Sequence, residues 1–159
     1  MKLSSLTLRN FRCFRDLAVA FHEQLTVVVA ANGRGKSTVL DATASILSAF
    51  VAQFDKNQWR RNADEDIRVV RQEDGTRAVI SPSTIEAHVD VDGKAERWGR
   101  TLLGTLAQQP DYTPAVEYGE SLLGGLRSER PNGATVLPLV AYYGSNRTAF
   151  SEELKVGLD

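Results

Sequence analysis

Seven residues, Asn32-Gly33-Arg34-Gly35-Lys36-Ser37-Thr38, separate an unbroken apolar run from an apolar-striped segment, and that junction leaves few folds open. On its N-terminal side, Leu25-Thr26-Val27-Val28-Val29-Ala30 is continuous and β-branched, the pattern of a central strand buried on both faces. On its C-terminal side, Val39, Ala42, Ile46, Phe50 and Phe54 recur at spacings of three and four. Leu40, Leu47 and Val51 widen that stripe, which predicts a largely buried helix over 36–54. A buried strand, a glycine turn and an amphipathic helix in immediate succession make an α/β unit with the helix N-terminus at the turn.

That arrangement suits phosphate. Gly33 and Gly35 let the backbone turn and bring amide N–H groups close to an anion with no Cβ in the way. The helix adds its unpaired N-terminal N–H groups and the positive end of its dipole. Gly35-Lys36-Ser37 fill the last places of the P-loop pattern, and Ala30 replaces its first glycine, which is tolerable if the local φ is negative. Lys36 would meet the β- and γ-phosphates of ATP, Ser37 would ligate Mg²⁺, and Thr38 would reach the α-phosphate, with Asn32 and Arg34 completing the loop.

Elsewhere, Leu3, Leu6 and Leu8 mark one extended segment, and Leu17, Val19 and Phe21 alternate with Ala18 and Ala20 in a second. Residues 55–75 are polar without a steady period. Strands are expected over 78–91 and 97–103, joined at Val91-Asp92-Gly93-Lys94, a strong hairpin signal. A loop over 108–113, a helix over 115–127, an apolar strand over 136–143 and a polar helical tail complete the reading.

Three segments carry a family resemblance: Leu8-Arg9-Asn10-Phe11-Arg12-Cys13-Phe14, Ala31-Asn32-Gly33 and Leu40-Asp41-Ala42. Together they resemble the head domains of SMC and RecF-like ATPases. Ile85-Glu86-Ala87, Asp92-Gly93-Lys94, Trp98-Gly99-Arg100 and the run from Leu137 to Gly144 are similar to a branch of bacterial AAA-type ATP-binding proteins. Some of that branch serve in anti-phage systems beside an HNH-type nuclease or a retron. The resemblance implies an ABC-type P-loop NTPase fold, α/β, whose N-terminal lobe combines a mixed β-sheet with an antiparallel β-subdomain. It further implies ATP and Mg²⁺ sandwiched in a homodimer of heads, with a partner nuclease and DNA as associates. It also places the end of the first strand beside the phosphate loop, so that Arg12 would reach phosphate oxygens.

Such heads need a Ser-Gly-Gly signature and an aliphatic Walker B strand ending in Asp-Glu. Neither occurs in residues 1–159, which therefore read as the N-terminal portion of one head: a fragment, a truncated product or a piece of a split enzyme. On this reading the full-length protein is an ATPase, and the portion alone hydrolyses poorly.

Other candidates have plainer readings. Leu122-Leu123-Gly124-Gly125 lacks the signature serine and reads as a glycine-stopped helix end. Asn146 stands where ABC-type heads carry a glutamine, in what reads as a plain turn. Arg60, Arg61, Arg68 and Arg71 lie among Asp64, Glu65, Asp66 and Glu73, a mixed-sign pattern typical of solvated surface. His22 and His88 are isolated and make no zinc cluster.

The composition, 42% apolar and 25% charged with net charge −1, excludes a bulk field drawing nucleic acid or membrane. Cys13 is the sole cysteine and precludes an intramolecular disulfide. No apolar run approaches the roughly 20 residues of a membrane span. The expectation is a soluble, cytoplasmic chain with no membrane partner. The principal reading is an ATP-driven switch in a DNA-associated or defence complex. The rivals are an ABC-transporter subunit, disfavoured by the long stretch between Lys36 and Asn146, and a non-catalytic P-loop module.

Overall fold

The computed structural model describes residues 1–55, 64–103, 108–127 and 137–142. Strands β1 (Lys2–Phe11) and β2 (Phe14–Ala20) form an antiparallel pair, followed by helix α1 (Lys36–Val51). A short 3-10 turn (Asp64–Asp66) leads into β3 (Arg68–Arg71) and β4 (Arg77–Ile80). Strands β5 (Ser83–Val91), β6 (Lys94–Leu102) and β7 (Gln108–Asp111) precede helix α2 (Thr113–Arg127). The main sheet has the order β2-β1-β5-β6-β7, and β3 and β4 make a separate two-stranded sheet.

One face of the main sheet is apolar and receives α1. Leu6 and Leu8 of β1, Ile85, Ala87 and Val89 of β5, and Trp98 of β6 meet Val39, Ala42, Ile46, Ala49 and Phe50 of α1. Leu3 packs on the same core although it lies an odd number of residues before Leu6. A register shift between Leu3 and Ser5 reconciles the two, because one extra residue returns the pleat to the same face. Phe50 is the pivot of the far end of α1. Its ring stacks on Trp98 (centroids 6.4 Å apart) and on Tyr118 of α2 (5.5 Å), and meets Phe54 edge-on (5.3 Å). Gly119 of α2 is buried where the helices cross: a Cβ there would lie 2.6 Å from Gln53 Cγ, so the residue that weakens the helix permits its packing.

The turn between β5 and β6 is as expected, with Asp92 at φ 53° and Gly93 at φ 83°, the two positive values of a type I′ hairpin. Other expectations are corrected. The strand expected over 78–91 is two strands, β4 and β5, because Pro82, without an N–H, interrupts the ladder. Residues 55–75, expected to lack regular structure, contain β3, which pairs with β4 around Asp74-Gly75. The loop expected over 108–113 contains β7. Helix α1 ends at Val51, three residues early, with Leu40 and Phe54 exposed. Gly124 and Gly125 lie inside α2, not beyond its end.

The largest departures are the two continuous apolar runs. Residues 25–30 join no ladder, and Leu25, Val27 and Val29 are 71%, 70% and 86% exposed. Residues 137–142 likewise carry no strand, and Leu139 is exposed. A strand buried on both faces needs neighbours to satisfy its N–H and C=O groups, and none of the described residues supplies them. All described pairings are antiparallel, so the expected antiparallel subdomain is present, and parallel neighbours for 25–30 are not among the described residues. The helical tail and the Ser145-Asn146-Arg147 turn lie outside the described residues, as do Arg60 and Arg61.

Phe50→Ala should cost about 3–5 kcal/mol, the usual range for emptying a buried aromatic site. Thermal or denaturant unfolding of the variant checks this; a loss below about 1 kcal/mol would contradict the pivotal role assigned to the ring.

Candidate phosphate-binding site

The loop at residues 31–35 ends on Gly35, the N-cap of α1, which has φ 85° and makes no side-chain capping bond. The first helical hydrogen bond runs from Val39 N–H to Gly35 O (3.1 Å). The N–H groups of Lys36, Ser37 and Thr38 precede it and have no intrahelical acceptor, the feature that makes a helix N-terminus receptive to anions. Arg34 N–H closes the loop onto Ala31 O (3.3 Å). Ala30 is not among the residues with positive φ, so its Cβ meets no backbone penalty.

The two loop glycines do different work. Gly33, at φ 77°, faces open space, where a Cβ would meet nothing within 4 Å. Gly35 is pressed against the turn between β1 and β2: a Cβ would lie 2.5 Å from Phe14 Cζ and 2.7 Å from Cys13 Sγ. Cys13 Sγ also stands 3.9 Å from Thr38 Oγ1. The β1–β2 turn is thus the wall against which the loop and the first turn of α1 are set.

Asn32, Gly33, Arg34 and Ser37 are exposed, and Gly35, Lys36 and Thr38 are partly buried. Lys36 folds back so that its ammonium donates to Ala30 O (2.8 Å) and Ala31 O (2.9 Å), which holds its charge within the loop. The seven expected residues therefore lie together, exposed or partly buried, at the head of α1. An anion fits it: the cap is vacant of side-chain oxygen, and no acidic residue occupies the first helical turn. The Ser37 hydroxyl lies beside Lys36 on that turn, where it can serve a cation carried with the phosphates.

Arg12 stands next to this site between two carboxylates. Its Nε donates to Asp66 Oδ1 (2.7 Å) and its Nη1 to Asp41 Oδ2 (2.6 Å), the latter on the second turn of α1. Burial opposes the guanidinium charge, but the bonds to Asp41 and Asp66 outweigh it and raise the pKa. The backbone joins the same knot, with Arg12 N–H on Asp66 O (2.9 Å) and Phe11 bridged to Ile67. Arg68, expected as solvated surface, donates to Cys13 O (2.6 Å). Tyr142 donates its hydroxyl to the other oxygen of Asp41. Behind Asp66, the buried Arg100 donates to Ser45 Oγ (3.1 Å), and its pKa is lowered by burial, which the charges of Tyr112 and Asp66 only partly offset.

Sequence reasoning expected Arg12 to reach phosphate, whereas here its guanidinium lies on Asp41 and Asp66; it gave no role to Asp41, Asp66 or Arg100. Asp41 was visible in Leu40-Asp41-Ala42, where a helix position facing the first strand carries an acid. Asp66 gave no signal, because its pairing depends on a chain separation of 54 residues.

Gly35→Ala should damage this site far more than Gly33→Ala. Both pay for positive φ, roughly 1 kcal/mol, but only Gly35→Ala also drives a Cβ into Phe14 and Cys13. Melting temperatures and nucleotide titrations of the two variants should rank them in that order; equal effects would contradict the wall formed by the β1–β2 turn.

Comparison with known proteins agrees with this geometry. A family model described as "AAA domain" matches residues 5–154. Over 42 residues the chain is 45% identical to the DNA double-strand break repair Rad50 ATPase of Halobacterium salinarum, a match covering 26% of this chain and 5% of that protein. It is 40% identical over 42 residues to the DNA replication and repair protein RecF of Lactococcus lactis subsp. cremoris, covering 26% of this chain and 12% of that one. Among solved structures, a chain from work on ATP-driven dimerization and DNA-stimulated activation of SMC ATPases superposes with a TM-score of 0.53. That match has 17% identity and covers 86% of this chain and 87% of the other, so the two share a fold. The matches to Rad50 and RecF take in only a small part of each relative. The family match spans nearly the whole sequence, and the chain belongs to the AAA domain family, with the fold of an SMC-type ATPase head.

Proposed function

We propose that this chain is the ATP-binding lobe of a nucleotide-driven switch that works with DNA. The observation that carries the reading is the uncapped N-terminus of α1, with Lys36 held in the loop above it and Gly35 fixed against the β1–β2 turn. In this reading Lys36 and the loop amides of residues 32–38 hold the phosphates of ATP. Ser37 ligates Mg²⁺ and Thr38 reaches the α-phosphate. Bound Mg²⁺ would neutralise phosphate charge; the chain's own part is to bind and orient. Association with DNA rests on the repair roles named for the Rad50 and RecF relatives. Pairing of heads around ATP rests on the dimerization described for the SMC ATPases. A defence setting with a partner nuclease is an extension that the family resemblance alone supports.

Residues 1–159 act in this proposal as the first half of a head. The exposed run at 25–30 supports it, because a valine-rich segment leading into a phosphate loop and joining no described sheet leaves apolar surface for further strands to cover. A second half carrying the signature and the Walker B acid would supply both those neighbours and the catalytic base. Among the described residues no helix is long and apolar enough to cross a membrane.

Lys36→Ala should weaken ATP binding by about 1.5–3 kcal/mol, the scale of one charge-assisted contact, while leaving the fold intact. Calorimetric titration of the folded variant measures this, and affinity equal to wild type would refute the assignment. The chain alone should also release negligible phosphate from ATP, and supplying the second half in trans should restore turnover. Steady hydrolysis by the chain alone, abolished by Lys36→Ala, would place a catalytic residue within residues 1–159 and refute the division of labour.

A further inference from the structure

Resting on that reading of the phosphate site, we infer that residues 137–142 are a strap along α1 whose docking is coupled to the site through the bond from Tyr142 to Asp41. The segment joins no ladder, yet its exposure alternates: Leu137, Leu139 and Ala141 are exposed, and Pro138 and Val140 are partly buried. That period of two belongs to an extended chain with one side against a surface. The surface is α1. Pro138 and Val140 lie by Phe50, Val51 and Phe54 at its C-terminal end, around a cavity of about 220 Å³. Tyr142 follows on the same side of the strap and donates its hydroxyl to Asp41 in the second turn of the helix. Phe50 is nine residues beyond Asp41, about 14 Å along the axis, so the strap runs back from the far end of α1 toward its head.

The two ends of the strap are held differently. At the apolar end the cavity forfeits dispersion contacts, and Leu139, 94% exposed, buries almost nothing. Segments with few buried contacts and no ladder open at low free energy. At the other end a phenol donates to a carboxylate, a charge-assisted and directional bond. Asp41 lies three residues beyond Thr38 and four beyond Ser37, on the same face of α1. Helical side chains lean toward the N-terminus, so its carboxylate is carried toward the turn that would meet phosphate. An anion bound there makes the potential at Asp41 more negative, and a hydroxyl with its hydrogen aimed at Asp41 is held more firmly in that potential. ATP therefore tightens the strap, and by linkage the docked strap favours ATP. AMP, with the least charge, does so least.

Two readouts test this on wild type, Tyr142→Phe, Val140→Ser and the double variant: ¹⁵N relaxation of the 139–142 amides, and calorimetric titration of ATP and AMP with Mg²⁺. Phenylalanine removes only the hydroxyl, and melting curves confirm that each variant is folded. In wild type the amides should lose fast motion when ATP binds, and lose less with AMP. Tyr142→Phe should leave them mobile in both states and weaken ATP roughly threefold, the scale of one hydrogen bond. Val140→Ser loosens the far end of the strap and should weaken ATP similarly, but add nothing to Tyr142→Phe. The inference is overturned if Tyr142→Phe binds ATP like wild type, if ATP leaves the wild-type amides unchanged, or if the two defects multiply in the double variant. Lys36→Ala run alongside separates the two levels. Equal ATP binding by Lys36→Ala and wild type removes the phosphate site itself, whereas a Lys36 effect without a Tyr142 effect removes only the coupling.

Discussion

The missing Cβ of Gly35 is the constraint on which the site depends. At that position the loop, the first turn of α1 and the β1–β2 turn come together, and a single methyl would overlap both Cys13 and Phe14. The contact fixes one end of α1 relative to the sheet. Phe50, stacked between Trp98 and Tyr118, fixes the other. Between these points the apolar stripe of the helix lies on the sheet, and its N-terminal amide groups are held where a ligand would meet them without reorganisation. The buried stripe from Val39 to Phe50 holds the helix on the sheet between these points, and Gly35 sets its head against the β1–β2 turn.

What could be read in the sequence divides along physical lines. The glycine-lysine-serine turn, the helix after it and the Asp92-Gly93 hairpin were legible because local residues determine each of them: positive φ, a period near 3.6, a type I′ turn. Hairpin β3–β4 was missed because Arg68 and Arg71 flank Val69-Val70 and mask the alternation, although Asp74-Gly75 supplied a turn signal. Gly119 lowers helix propensity when read alone, and only the crossing with α1 at Gln53 explains its place. The Arg12–Asp66 pair was beyond any local reading, since it is made by residues distant in sequence whose meeting the sheet decides.

The run at 25–30 is a different case. Its sequence states what the segment is suited to, a strand covered on both faces, and the structure states that the described residues do not cover it. These statements are compatible. Hydrophobic pattern reflects the environment in which a segment is most stable, whereas a ladder also requires a neighbour with free N–H and C=O groups in register. Residues 137–142 show the same combination of apolar sequence and absent pairing, beside the end of α1. Of these two apolar segments outside the described sheets, one leads directly into the phosphate loop and the other lies against Phe50, Val51 and Phe54 at the far end of α1.

Lys36 and Arg12, two of the cations near the head of α1, are held in different ways. Lys36 rests on the neutral carbonyl oxygens of Ala30 and Ala31, a modest interaction that an anion at the helix N-terminus can replace, since phosphate oxygens bring full charge to the same ammonium. Arg12 is bound to two carboxylates, one of them buried, and withdrawing it would leave negative charges facing each other across the β1–β2 turn. A ligand would therefore recruit Lys36 at little cost and Arg12 only at the expense of both partners. The flexible, singly charged tip with neutral neighbours is suited to grip, and the planar fork between acids is suited to hold a field constant. That asymmetry supports the proposal that the lysine meets the ligand, while the contacts of the arginine in this structure are with its two carboxylates.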